Sequence, residues 1–149
     1  MKPLVILLSC FIIAVVILKS VKKEYDFPLS GRLSMSVMLL FTAIGHFLYT
    51  EGMAMMLPEF IPFKRETVYL TGFIEIAAAI GLLLPNFRII TGWLLIVFFI
   101  MILPANIYAA VKHVDYQKAT YQGRGTAYLF FRVPLQLIFI IWTYMSTIR

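Results

Sequence analysis

The sequence predicts an all-α membrane protein, a single bundle of five transmembrane helices that spans residues 1–149. Its 149 residues are 62% hydrophobic and 13% charged, whereas soluble proteins are roughly half apolar and about a quarter charged. The mean hydropathy is +0.92. The apolar residues form five long runs with almost all charges between them, and a helix needs about 17 to 25 such residues to cross the hydrocarbon core.

Each apolar run is interpreted as one helix. The runs cover Pro3–Leu18, Leu33–Tyr49, Val68–Leu84, Ile89–Val111 and Ala127–Tyr144. The first lies in an additional amino-terminal helix, residues 1–20, because no small-residue cleavage site of a signal peptide follows it. Only Pro85, Asn86, Phe87 and Arg88 separate the third run from the fourth, so these two helices form an antiparallel hairpin.

The charges lie outside the runs, as in a multi-pass membrane protein, and we expect the chain in the bacterial inner (cytoplasmic) membrane. Lysines and arginines divide equally between the two membrane sides, and we place the amino terminus outside because the densest basic cluster surrounds Lys22 in the first loop. The net charge of +6 therefore arises from lysines and arginines at the ends of the membrane helices. We expect these residues to face the lipid bilayer and not nucleic acid.

Five strongly polar side chains interrupt the apolar runs and are the candidate binding residues. They are His46, Glu75, Asn106, Arg132 and Gln136. Helix rise places the first four between about 6 and 12 Å from the same membrane end. Gln136 lies one helical turn beyond Arg132 on the same face. Because polar groups are costly in hydrocarbon, they normally face the bundle interior or a cavity. The sequence predicts a polar pocket in this layer.

Structural roles for the same residues are the alternative. Glu75 and Arg132 can form an ion pair that holds two helices together, and Asn106 and Gln136 can act as interhelical packing contacts worth about 1 kcal/mol. His46 can donate to a backbone carbonyl near the end of its helix.

Two further features favour a pocket. Pro104 can kink the fourth helix within one turn of Asn106, and the apolar loop Glu51–Glu66 can cover the bundle as a lid or lie among the headgroups. No metal site or cofactor is evident, because too few ligands share the layer, and the single cysteine, Cys10, cannot form an internal disulfide or a CxxC relay.

Six short segments resemble the DoxX-like family of small membrane proteins in order and spacing. They are Gly45-His46-Phe47, Leu57-Pro58-Glu59-Phe60-Ile61-Pro62, Thr71-Gly72-Phe73-Ile74-Glu75, Gly81-Leu82-Leu83-Leu84-Pro85, Leu103-Pro104-Ala105-Asn106-Ile107-Tyr108 and Arg132-Val133-Pro134-Leu135-Gln136. The resemblance implies a four-helix core at residues 33–145, preceded by an extra helix.

The resemblance also implies a redox-associated membrane subunit, because the family takes its name from a subunit of a thiosulfate:quinone oxidoreductase. A quinone headgroup is then the expected ligand. His46 or Glu75 would exchange protons, and Arg132 or Asn106 would donate hydrogen bonds to a carbonyl. A partner protein would supply flavin, metal or thiol chemistry. A non-catalytic assembly or scaffold subunit and a small-solute transporter are the alternatives, and the sequence does not establish that the chain is an enzyme.

Overall fold

A computed structural model describes residues 2–149, and these residues form seven α-helices and a terminal π-helix. The helices are α1 (Lys2–Lys22), α2 (Phe27–Leu48), α3 (Thr50–Met55), α4 (Lys64–Gly81), α5 (Arg88–Met101), α6 (Leu103–Val111) and α7 (Ala127–Thr143), and the π-helix covers Tyr144–Ile148. No strand occurs within this range, apart from an isolated bridge between Asp115 and Thr120. The all-helical prediction is confirmed.

Four helical segments are long and apolar enough to cross a membrane. They are Lys2–Lys22, Phe27–Leu48, Arg88–Val111 and Ala127–Ile148. Large apolar side chains cover the outside of these segments, as expected where helices face lipid. The chain is therefore a multi-pass helical membrane protein. Helix α4 has 18 residues but carries four charged ones, Lys64, Arg65, Glu66 and Glu75, and a fifth span at this helix stays a prediction.

Helix α2 is central and begins six residues before the predicted Leu33. Asp26 caps its amino terminus by accepting a hydrogen bond from the Leu29 backbone N–H at 3.0 Å, and Pro28 occupies the first turn, where a missing N–H is tolerated. The helix has α1 on one side and α4 on another. Ser36 bonds the Ala79 carbonyl of α4 at 2.7 Å. The early serines lower the hydropathy, yet they are buried between helices.

Replacing Asp26 by alanine is expected to lower the free energy of unfolding by about 1 kcal/mol, the usual cost of losing an N-cap. Asp26→Asn is the matched control, because the amide oxygen keeps the cap and removes only the exposed ion pair with Lys22, whose atoms are 3.2 Å apart. Unfolding in detergent, followed by helical circular dichroism, measures both variants. Equal losses in the two variants would contradict the cap assignment.

The same cap has a defined pH dependence. The hydrogen bond from the Leu29 N–H, together with Lys22, lowers the pKa of the Asp26 carboxyl below its ordinary value. A carboxyl whose pKa is lower in the folded chain stabilises the fold fully above its unfolded pKa, and this stabilisation is lost as pH falls through the lowered folded pKa. We expect the difference in stability between wild type and Asp26→Asn to shrink in that acidic range.

The fourth predicted helix is interrupted at Ile102, between α5 and α6. Pro104 lies in the first turn of α6, where its ring and missing N–H favour a new helix start over continuation of the old one. The Asn106 N–H bonds the Ile102 carbonyl at 3.1 Å across this junction. The helix is therefore interrupted close to Pro104 and within four residues of Asn106.

The loops at the carboxyl ends of α2 and α6 form a roof over the bundle, which we define by Met53, Met56, Leu57, Tyr116 and Gln117. Helix α3 belongs to this roof, and an ion pair between Glu51 and Arg65, with atoms 3.0 Å apart, joins α3 to the first turn of α4. The segment predicted as a lid or a headgroup contact is therefore partly helical. Its helix α3 lies against Tyr116, whereas Phe60 and Phe63 are exposed.

Candidate functional site

A cavity of about 370 Å³ lies beneath the roof, and all five candidate residues line it. The apolar core forms its floor through Met38, Leu39, Phe99, Leu135 and Phe139. The convergence of His46, Glu75, Asn106, Arg132 and Gln136 that helix rise predicts is therefore observed. Ligand binding by these residues stays a prediction.

Glu75 forms the most connected part of the polar wall. It is only 5% exposed, and its Oε2 accepts a hydrogen bond from the Thr42 hydroxyl at 2.8 Å. The same oxygen lies 3.4 Å from Nδ1 of His46, and this nitrogen also lies 3.1 Å from the Thr42 carbonyl. Two acceptors face Nδ1, so we assign its proton to this nitrogen.

Arg132 faces the cavity without a carboxylate partner. Its Nε donates to the Tyr128 hydroxyl one turn earlier, and its guanidinium carbon lies 5.2 Å from the centre of the Tyr128 ring. Within residues 2–149 the ion pairs involve other side chains. The Glu75–Arg132 ion pair considered from the sequence is therefore not formed, because His46 and Thr42 lie against Glu75 instead.

Gln136 and Asn106 complete the layer in different ways. The Gln136 side-chain N–H donates to the Phe99 carbonyl at 2.9 Å, which joins α7 to α5 as the packing alternative expects, while its Oε1 is buried without a hydrogen-bond partner in the part of the chain described. Asn106 is 5% exposed and lines the cavity. Arg132 and Asn106 thus supply donors to the cavity, since both side chains carry N–H groups.

Comparison with known proteins places the chain in a family. Residues 35–147 match the family described as Domain of unknown function (DUF8561). The chain belongs to this family. No curated protein and no solved structure matches it, so the DoxX-like resemblance stays a prediction. The DUF8561 region contains all five candidate residues.

Helix α1 lies before the DUF8561 region, yet it contributes to the cavity. Lys2 and Pro3 are part of the lining. Lys2 is not among the residues predicted from the sequence, because a lysine at a helix end is ordinary in a membrane protein. The cavity is therefore built partly from a helix that the family model does not include.

Thr42 is another lining residue that sequence reasoning missed. It lies one helical turn before His46, and side chains four residues apart share a helix face. That spacing could have identified it. The remaining histidine, His113, lies outside the cavity with its ring against Gly125. Among residues 2–149 no three His, Cys, Asp or Glu side chains are grouped closely enough to hold a metal ion.

Proposed function

We propose that the chain is a redox-associated membrane subunit that binds a quinone in the cavity beneath the roof. The observation that carries the proposal is the convergence of five polar side chains on one cavity whose other walls are mainly apolar. Ligand sites commonly have this character, with volumes of about 300 to 1,000 Å³ and few polar groups. A quinone matches it with a flat apolar ring, carbonyl oxygens and an apolar tail.

The polar groups fit a carbonyl-bearing head. Arg132 and Asn106 have N–H groups that can donate to a quinone oxygen, and donation from a cation gives the stronger bond. The His46–Glu75 pair can hold a proton at Nδ1 or at the carboxylate, and Thr42 bonds the same carboxylate oxygen. In this arrangement Arg132 orients the head, while His46 and Glu75 exchange its protons.

The proposal includes a DoxX-like four-helix core at residues 33–145 in a bacterial inner membrane, with α4 as a fifth span. Glu75 in α4 faces Thr42 and His46 of α2, so this charge lies between helices and not against lipid. The chain has one cysteine and so has no dithiol of its own. We place the electron carrier, a flavin, metal or thiol centre, on a partner protein.

Lipid-extract mass spectrometry of gently purified protein tests the proposal. We expect the wild type to retain a quinone. Glu75→Gln should retain about tenfold less quinone per protein, or less still, because hydrogen bonds to charged groups contribute about 1.5 to 3 kcal/mol. Glu66→Gln is the matched control, since Glu66 lies on the same helix but does not line the cavity. A wild-type extract without quinone, or equal retention in Glu75→Gln, would contradict the proposal.

A scaffold subunit is the second candidate, favoured by polar contacts that join one helix to another. Gln136 bonds the Phe99 carbonyl, Ser36 bonds the Ala79 carbonyl, and Trp142 bonds the Gly31 carbonyl at 3.1 Å. Such contacts stabilise membrane bundles by about 1 kcal/mol each. The same purification tests this candidate, because a scaffold would carry a stoichiometric protein partner and no small molecule.

A further inference from the structure

The cavity reaches the lipid-facing side of the bundle along α2. Phe41, Ile44 and Leu48 line the cavity, and the same residues are 41%, 55% and 70% exposed on the outside of the bundle. A residue that both lines a cavity and is half exposed lies at the edge of an opening. The α2 part of this edge, formed by these three residues, is apolar, as expected where an opening meets acyl chains.

Other helices supply the remaining edge of this opening. Lys2 and Pro3 of α1 line the cavity, and so do Phe98 and Ile102 near the α5–α6 junction. Leu7 of α1 is fully buried in the apolar cluster below, which fixes the start of α1 beside the cavity. Lys2 is exposed and lies at the membrane end of α1, where lysines commonly reach the headgroups.

The roof lies on the aqueous side of the cavity, where Tyr116 is half-buried and Gln117 is exposed. A second cavity of about 310 Å³ lies beyond it, and Leu48, Tyr49, Tyr116 and Gln117 line both cavities. These residues therefore lie between the two spaces. The Tyr49 and Tyr116 rings meet edge to face with centroids 6.0 Å apart, a stable aromatic arrangement.

We propose that the ligand enters sideways from the bilayer, through the opening between α1, α2 and the α5–α6 junction, and not from water through the roof. The inference rests on the proposed function only in treating the cavity as the ligand site. It selects a chemical class, lipid-soluble molecules with a compact polar head and an apolar body. It also assigns α1 a role in ligand entry, beyond the region that the family model covers.

Thiol labelling in native membranes tests the route without using a quinone. Cys10→Ser gives a cysteine-free background, because Cys10 is the only cysteine, and Ala105→Cys then places a thiol on the cavity wall. N-phenylmaleimide and its sulfonated analogue have the same reactive group, but only the first dissolves in hydrocarbon. Gln122→Cys, in an exposed loop, provides the reference rates for both reagents.

We compare the labelling rate at position 105 with that at position 122 for each reagent. We expect this ratio to be about tenfold or more lower for the sulfonated reagent than for N-phenylmaleimide, because ionised groups enter hydrocarbon poorly. Ile44→Trp should slow N-phenylmaleimide at position 105 by filling the opening. Ile80→Trp is the matched control, since Ile80 is 56% exposed but does not line the cavity.

Two outcomes would overturn the route. One is a sulfonated reagent that reacts at position 105 as readily as at position 122, and the other is an Ile44→Trp rate equal to the Ile80→Trp rate. Neither outcome depends on whether a quinone is found in the lipid extract. Failure of the entry route and failure of the quinone proposal are therefore distinguishable.

Discussion

Arg132→Met is expected to abolish quinone retention while leaving the ligand-free bundle as stable as the wild type, or more stable by about 1 kcal/mol. A guanidinium at the centre of a membrane helix costs about 2.5 to 3.5 kcal/mol. Arg132 lies nearer the membrane end and bears part of this cost, which it offsets through Tyr128 by a hydrogen bond and a contact with the ring. Methionine has a similar length and no charge. Loss of binding with unchanged stability would identify Arg132 as a residue retained for its ligand.

The measurement combines thermal unfolding of ligand-stripped protein with quinone retention in the lipid extract. Stripping is required because a bound ligand stabilises the folded state by itself. Arg124→Met is the control, since Arg124 is exposed in the loop before α7 and does not line the cavity. A scaffold role predicts the reverse pattern, in which Arg132→Met unfolds earlier and ligand content does not change.

The convergence of the polar layer was predictable because the membrane restricts where such side chains can go. Long apolar runs fix which residues cross the hydrocarbon, and alternation of direction fixes their depth. His46, Glu75, Asn106 and Arg132 then have few positions available except the bundle interior. Depth does not fix the rotation of each helix, however. Depth alone therefore does not predict which side chain contacts Glu75. In the structure His46 and Thr42 contact it, and Arg132 does not.

The helix ends and the roof were less predictable. Hydropathy predicts the start of α2 at Leu33, because Ser30 is polar and Gly31 is flexible. In the structure both residues lie in α2 and are buried against neighbouring helices. Helix α3 follows α2 after Tyr49 alone, and its burial depends on the distant segment around Tyr116. Contacts of this kind arise from tertiary packing, and no local pattern in a single sequence encodes them.

Gly52→Ala is expected to destabilise the roof strongly, because Gly52 of α3 lies directly against the backbone of Tyr116. A methyl group at residue 52 would come within 2.6 Å of Tyr116 Cα and closer still to its carbonyl group. Backbone cannot rotate aside as a long side chain does, so the segment around Tyr116 must move. Overpacking usually costs about 1 to 3 kcal/mol, and we expect the upper end of that range.

Gly45→Ala is the matched control for this prediction. Gly45 lines the cavity, but the atom nearest to an added methyl would be Met53 Cε at 3.7 Å, an ordinary contact. Gly45→Ala should therefore not destabilise the fold, and the higher helix propensity of alanine should stabilise α2 by up to about 1 kcal/mol. If the roof is the aqueous seal, Gly52→Ala should also speed the sulfonated maleimide at position 105, and Gly45→Ala should not. If Gly52→Ala is destabilised but its labelling by the sulfonated maleimide is no faster, the roof stabilises the fold and does not exclude water.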